Sequence, residues 1–308
     1  MLTGYTKQLS ILPFDHRASY ISGLFGWKEP LNVEQVLAVA ESKQVIYEGF
    51  KKARIAKEKA GILVDEQYGI RILRDAVQQG TITAVPVEKS GQDEFDFIYG
   101  DDFAQHIEAI QPTFAKVLVR YNPEGDRAMN QRQTQRLKRL SDYLYHAQRL
   151  FLFELLVPAE PQQLEYVDQN KDAYDTQLRP RLMAQAIEEL RQAGVEPDVW
   201  KIEGLDQRTD CERIVEVAHR NGGQNVGLIV LGRGASQERV THWLQTAASV
   251  PGFIGFAVGR TSFWKAIVDF EAKRLSLDAA ATQIAQNFEE WNRIFEAGRQ
   301  AANGGQDR

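Results

Sequence analysis

Cysteine, methionine and histidine are scarce in this sequence, with one Cys, three Met and five His in 308 residues. The lone Cys211 has no second thiol to pair with, so an intrachain disulfide is excluded and a packed or surface position on a helix is expected. Only His16 falls at a strand end, while His106, His146, His219 and His242 lie in helical stretches, and one histidine does not make a zinc site. Residue type leaves open a magnesium site built from Asp15, Asp65 and Glu88, but no motif demands it. Neither a metal nor a cofactor is expected. Basic excess is missing as well: 37 Lys and Arg face 42 Asp and Glu, a formal net charge of −5. That balance argues against a nucleic-acid partner, yet a few local Arg and Lys side chains still suffice for a small anion. Long apolar runs are absent, and the opening MLTGYTKQLSILPFDHR has no signal-peptide core. No membrane association and a cytoplasmic location are therefore expected.

Short apolar runs are plentiful. Eight recur along the chain: 10–15, 61–66, 82–88, 115–121, 150–158, 198–204, 226–232 and 253–259. They are nearly continuous in Val, Ile, Leu and Phe rather than alternating, as strands covered by helices on both faces should be. Between them the spacing predicts helices over 33–58, 68–79, 101–110, 130–148, 178–193, 207–221 and 236–248, with a C-terminal pair from 262 to about 300. Gly194 and Gly222-Gly223 read as helix stops, and Asp206 with Thr209 as caps. Eightfold strand–helix alternation predicts one (β/α)₈ TIM barrel over residues 1–308, with a frayed tail from about 301. The acidic loop 90–102 is the nearest thing to a linker, and the polar stretch 159–180 is long enough to serve as a flap. The charged face of the helical segment 34–61 is expected to be solvated.

Chemistry concentrates at the predicted C-terminal strand ends. Lys201 sits inside Asp198-Val199-Trp200-Lys201-Ile202-Glu203-Gly204, where apolar neighbours disfavour an ammonium and favour a nucleophilic amine. Pairing with Glu203, or reaching out to water, is the plainer reading of the same lysine. Period-two geometry puts Lys116, Leu118 and Arg120 on one face of the fourth strand, and Glu154 in the fifth is a carboxylate that needs a partner. If these faces point inward, Lys116, Glu154 and Lys201 converge from consecutive strands. Asp15 is either a reactive carboxylate or a cap and ion-pair partner of Arg17, and Asp65-Glu66 divides the same way. The last two strand ends, Gly232-Arg233-Gly234 and Gly259-Arg260-Thr261, place arginine beside glycine just ahead of a helix. Such loops cradle phosphates in barrels of this kind, and tight turns with surface arginines are the alternative.

The motifs Phe14-Asp15-His16-Arg17, Val64-Asp65-Glu66, Val87-Glu88-Lys89-Ser90-Gly91, Lys116 to Pro123, Trp200 to Gly204 and Gly255 to Thr261 together resemble a known family. It is the aldolase domain that many bacteria carry fused behind the inositol-catabolic 5-dehydro-2-deoxygluconokinase. More distantly the chain is similar to class I tagatose-bisphosphate and sulfofructose-phosphate aldolases. The resemblance implies a metal-independent Schiff-base aldolase that splits 6-phospho-5-dehydro-2-deoxy-D-gluconate into dihydroxyacetone phosphate and malonate semialdehyde. It further implies Lys201 as the Schiff-base lysine, Lys116 as its neighbouring cation, and Glu154 and Asp15 as acid/base and orienting groups. Gly232, Arg233, Arg260 and Thr261 would surround the phosphate, with Gly234 and Gly259 in the same loops, while Arg17, Lys89 and Arg120 are candidates for the far-end carboxylate. The expected partner is thus a phosphorylated keto-sugar acid; homo-oligomerisation is left open. Other ketose phosphates are the second reading, and a non-catalytic sugar-phosphate-binding barrel the third.

Overall fold

A computed structural model describes residues 4–304. Each apolar run forms a strand: β1 (Leu9–Pro13), β2 (Ala60–Leu63), β3 (Ile82–Pro86) and β4 (Phe114–Arg120) in the first half. β5 (Leu150–Leu156), β6 (Val199–Glu203), β7 (Gly227–Leu231) and β8 (Phe253–Ala257) complete the second. All pairings are parallel, and β8 returns to β1 to close an eight-stranded barrel. This is the (β/α)₈ TIM barrel that the alternation predicts. All the strands but β4 are one or two residues shorter than their apolar runs, because residues such as Asp15, Glu88 and Pro158 already belong to the loops.

Around the barrel run α1 (Ala18–Phe25), α2 (Val33–Lys52), α3 (Glu66–Gln78), α4 (Phe103–Ile110), α5 (Arg127–Ala147) and α6 (Pro161–Tyr166). They are followed by α7 (Lys171–Ala173), α8 (Arg179–Gln192), α9 (Arg208–His219), α10 (Gln237–Ala248), α11 (Arg260–Glu271) and α12 (Leu277–Gly304). Helix starts follow side-chain caps where the residue type allows: Asn32 with Gln35 forms a capping box for α2, and Asp65, Asp126 and Ser236 cap α3, α5 and α10. Three expectations need correction. Helix α2 ends at Lys52, not 58, with Ala53 already extended. Asp206 does not cap α9, because its carboxylate accepts the Trp243 indole N–H at 2.6 Å. The polar stretch 159–180 is not a bare loop; it folds into α6, α7 and a π-helical turn, Tyr174–Leu178, that runs into α8. Helix α12 runs to Gly304, and the rest of the tail expected to fray, positions 305–308, lies outside the described residues.

Alternation within the strands sorts the barrel interior into two layers. Leu9, Ile11, Leu63, Ala84, Phe114, Leu152, Val199, Ile229 and Ala257 form an apolar plug inside the barrel. Two residues further along, on the same inward face, come Lys116, Glu154 and Lys201, with Asp15 and Glu88 at matching parity beyond Pro13 and Pro86. The plug closes the floor and the polar layer opens to the C-terminal mouth. Opposite faces of the strands pack under the helices in a second, larger core that includes Trp200, Trp243 and Trp291.

Candidate functional site

Strand register sets the polar layer. Glu154 and Lys201 are direct neighbours across the β5–β6 ladder, and their side chains meet at 2.8 Å. Lys116 reaches the same Glu154 oxygen at 3.0 Å, Asp15 at 2.8 Å and Glu88 at 2.9 Å. One ammonium therefore ties three carboxylates from β5 and from the loops after β1 and β3. Both lysines are enclosed, Lys116 with 1% and Lys201 with 4% of its surface exposed. Above them lies a cavity of about 180 Å³. Its wall also carries His16, Arg17, Lys89 and Arg120.

Counting formal charges, two lysines meet three carboxylates, and burial makes each imbalance costly. Burial opposes ionisation of Asp15 and Glu154, but the Lys116 and Lys201 charges outweigh it and hold both carboxyls below their ordinary range. Burial works against the Lys116 ammonium too, and Asp15, Glu154 and Glu88 overcome it, raising its pKa. Glu88 differs: burial dominates and lifts its pKa, with Lys116 and Arg17 only partly compensating. His16 is driven down to about 4, first by burial and further by Arg260 and Lys201, so its ring is neutral near pH 7.

Of the residues singled out in the sequence, Asp15, Lys116, Glu154 and Lys201 come together, and Arg17 and Lys89 reach the same cavity wall. Arg17 donates to the Glu88 carbonyl at 2.8 Å, and Lys89 pairs with Asp96 at the rim. The loops after β7 and β8 stand apart from the cavity lining. Gly232 and Gly234 flank Arg233, whose backbone takes a left-handed φ of 52°. Its guanidinium is held by Asp175 at 2.7 Å and Glu203 at 3.1 Å. Gly259 passes so close to β1 that a Cβ would lie 2.6 Å from the Pro13 carbonyl oxygen. Arg260 donates to Ser19 at 2.6 Å and lies over Trp264, and Thr261 donates to the Ala235 carbonyl at 3.2 Å. The three-carboxylate cation site does not assemble, because Asp65 faces Lys43 while Asp15 and Glu88 share Lys116.

Two features escaped the sequence reading. Glu88, expected only as one of three magnesium-ligand candidates, instead shares the Lys116 ammonium with Asp15 and Glu154. Lys43, placed on a solvated helix face, is fully buried and bonded to Asp65 and the His16 carbonyl. Helical spacing carried the signal: Lys43 follows Val39 by four residues and precedes Ile46 by three, on the buried face of α2.

A family model described as "Uncharacterized protein conserved in bacteria (DUF2090)" matches residues 3–299. The chain belongs to the DUF2090 family. No curated protein matches it in sequence. Among solved structures, this DUF2090 chain is similar to Cgl0159 of Corynebacterium glutamicum, with 16% identity, a TM-score of 0.57 and coverage of 94% and 88% of the two chains. A fructose-bisphosphate aldolase from Slackia heliotrinireducens gives 12% identity, a TM-score of 0.56, and 91% and 86% coverage. An archaeal fructose-1,6-bisphosphate aldolase, solved with its catalytic Lys covalently bound to the carbinolamine intermediate, gives 13%, 0.55, and 96% of each chain. At these identities the likeness concerns the fold.

Proposed function

We propose that the protein is a class I, Schiff-base aldolase acting on a ketose phosphate. The observation that carries this reading is the buried pair Lys201–Glu154, joined at 2.8 Å in the barrel mouth and flanked by the Lys116 ammonium. A carboxylate held ionised beside a lysine can take its proton as the amine attacks a ketone carbon. Glu154 returns that proton to the carbinolamine hydroxyl, which departs as water and leaves a protonated imine on Lys201 with Glu154 again ionised. That cation is an electron sink: when Glu154 removes the proton of the hydroxyl on the β carbon, the bond between the α and β carbons breaks and its electron pair moves to the imine as an enamine. An aldehyde leaves, the enamine is reprotonated, and hydrolysis frees the ketone product. Lys116 supplies a fixed positive charge beside Glu154, and Asp15 and Glu88 hold that charge in place. Aldolases among the structurally similar proteins support the same reading.

For the substrate, the motif resemblance favours 6-phospho-5-dehydro-2-deoxy-D-gluconate, cleaved between C3 and C4 to malonate semialdehyde and dihydroxyacetone phosphate. Arg17, Lys89 and Arg120 on the cavity wall offer cations for its carboxylate. The backbone around Gly232, Gly234 and Gly259, with Arg260, would take the phosphate; Arg233 would join only by exchanging Asp175 for it. A bisphosphorylated ketose is the second reading, prompted by the fructose-bisphosphate aldolases of similar fold.

Borohydride reduction with a candidate ketose phosphate, followed by peptide mass spectrometry, tests the chemistry. A reduced adduct on Lys201, lost in Lys201→Ala, is expected. Turnover without any such adduct, abolished instead by chelators, refutes the Schiff-base mechanism.

A further inference from the structure

His16 lines the cavity wall and is neutral near pH 7. Its Nδ1 is enclosed and has no protein partner, whereas Nε2 also makes no protein hydrogen bond and is not enclosed. A buried N–H without a partner is costlier than a bare lone pair, so the ring proton belongs on Nε2. The ring is held edge-on to Phe263, and its main-chain carbonyl accepts from buried Lys43. The charged groups that act on it are Asp15 beside it, Glu154 from β5, Lys201 from β6 and Arg260 from α11. Thus the loop after β1 places a neutral donor on the wall of the cavity that Glu154 and Lys201 also line.

A neutral donor adds little for a carboxylate or phosphate, which the neighbouring arginines and lysines satisfy far better. It suits an uncharged oxygen. Resting on the aldolase reading above, we infer that His16 donates a hydrogen bond from Nε2 to the substrate hydroxyl on the carbon adjacent to the ketone. The residue thereby selects α-hydroxyketone phosphates over their deoxy counterparts and fixes which way the ketone faces Lys201.

The test compares dihydroxyacetone phosphate with acetol phosphate, which differs only by lacking that hydroxyl. Half-saturating concentrations for borohydride trapping on Lys201 are measured by mass spectrometry. Wild-type protein is expected to prefer dihydroxyacetone phosphate by about fivefold, the worth of one neutral hydrogen bond. His16→Ala removes the preference. His16→Gln, whose amide nitrogen reaches the Nε2 position, keeps most of it; His16→Asn, which mimics Nδ1, does not. The ratio cancels general damage to packing, since both ketones use the same lysine. A preference unchanged in His16→Ala, or absent from the wild type, overturns the inference and leaves the Schiff-base reading standing. No adduct from either ketone on wild-type protein overturns both.

Discussion

Replacing Lys116 by Met keeps the length of the side chain and removes its charge. Three buried carboxylates then lose their common partner: Asp15 at 2.8 Å, Glu88 at 2.9 Å and Glu154 at 3.0 Å. Glu154 retains Lys201 at 2.8 Å, and Glu88 retains Arg17 at 3.6 Å, so Asp15 is the group left without a close cation. Breaking one buried ion pair from one side costs about 3–5 kcal/mol, and that is the loss expected near pH 7. The pH dependence has a defined sign. In the wild type, Asp15 and Glu154 have folded pKa values below their unfolded ones, so their contribution is present above about pH 4 and is lost as pH falls through the folded values. Glu88, raised by burial, works in the opposite sense. In Lys116→Met burial prevails for Asp15 as well, so the variant gains stability as acid protonates it. Urea unfolding followed by tryptophan fluorescence should show a midpoint lowered by about 1 M near pH 7.5, with the gap narrowing by about 1–2 kcal/mol near pH 5. A loss below about 1 kcal/mol, or one identical at the two pH values, refutes the picture of Lys116 as the shared counter-charge.

Two further expectations concern groups outside the cavity. Burial pushes the Cys211 thiol up to about 12, so the folded protein should react with an aromatic disulfide reagent only at its unfolding rate; rapid stoichiometric labelling of native protein contradicts this. Lys43→Met strands the buried Asp65 carboxylate and should cost about 3–5 kcal/mol, while Lys43→Met with Asp65→Asn recovers most of it, because Asn still caps α3 at Tyr68. Thermal melts of the two variants check the pair, and equal destabilisation by both rules it out.

Much of the site was legible because strand alternation is a strict geometric rule. Lys116, Glu154 and Lys201 follow inward-facing Phe114, Leu152 and Val199 by two residues each, so their convergence needs only the barrel and the parity. Arg233 shows where such reasoning stops. Glycines on both sides of it resemble a phosphate cradle, yet its guanidinium lies on Asp175 and Glu203, which come from a π-helical turn and from the end of β6. Helix α1 was missed because eight mostly apolar residues show no polar face, and the folded 159–180 segment because its short helices draw on polar residues.

The sequence pattern alone predicted the (β/α)₈ barrel, the order of its strands and which residues share a strand face, since period-two alternation acts over a few neighbours; which face points to the axis was decided by the fold. Only the tertiary structure decided which charges neutralise one another. Lys43, like Lys116, is buried against a carboxylate distant in sequence, and Lys201 finds Glu154 through β-ladder register. The state of an ionisable group depends on burial and on charges brought within a few ångströms, and the folded chain alone supplies both.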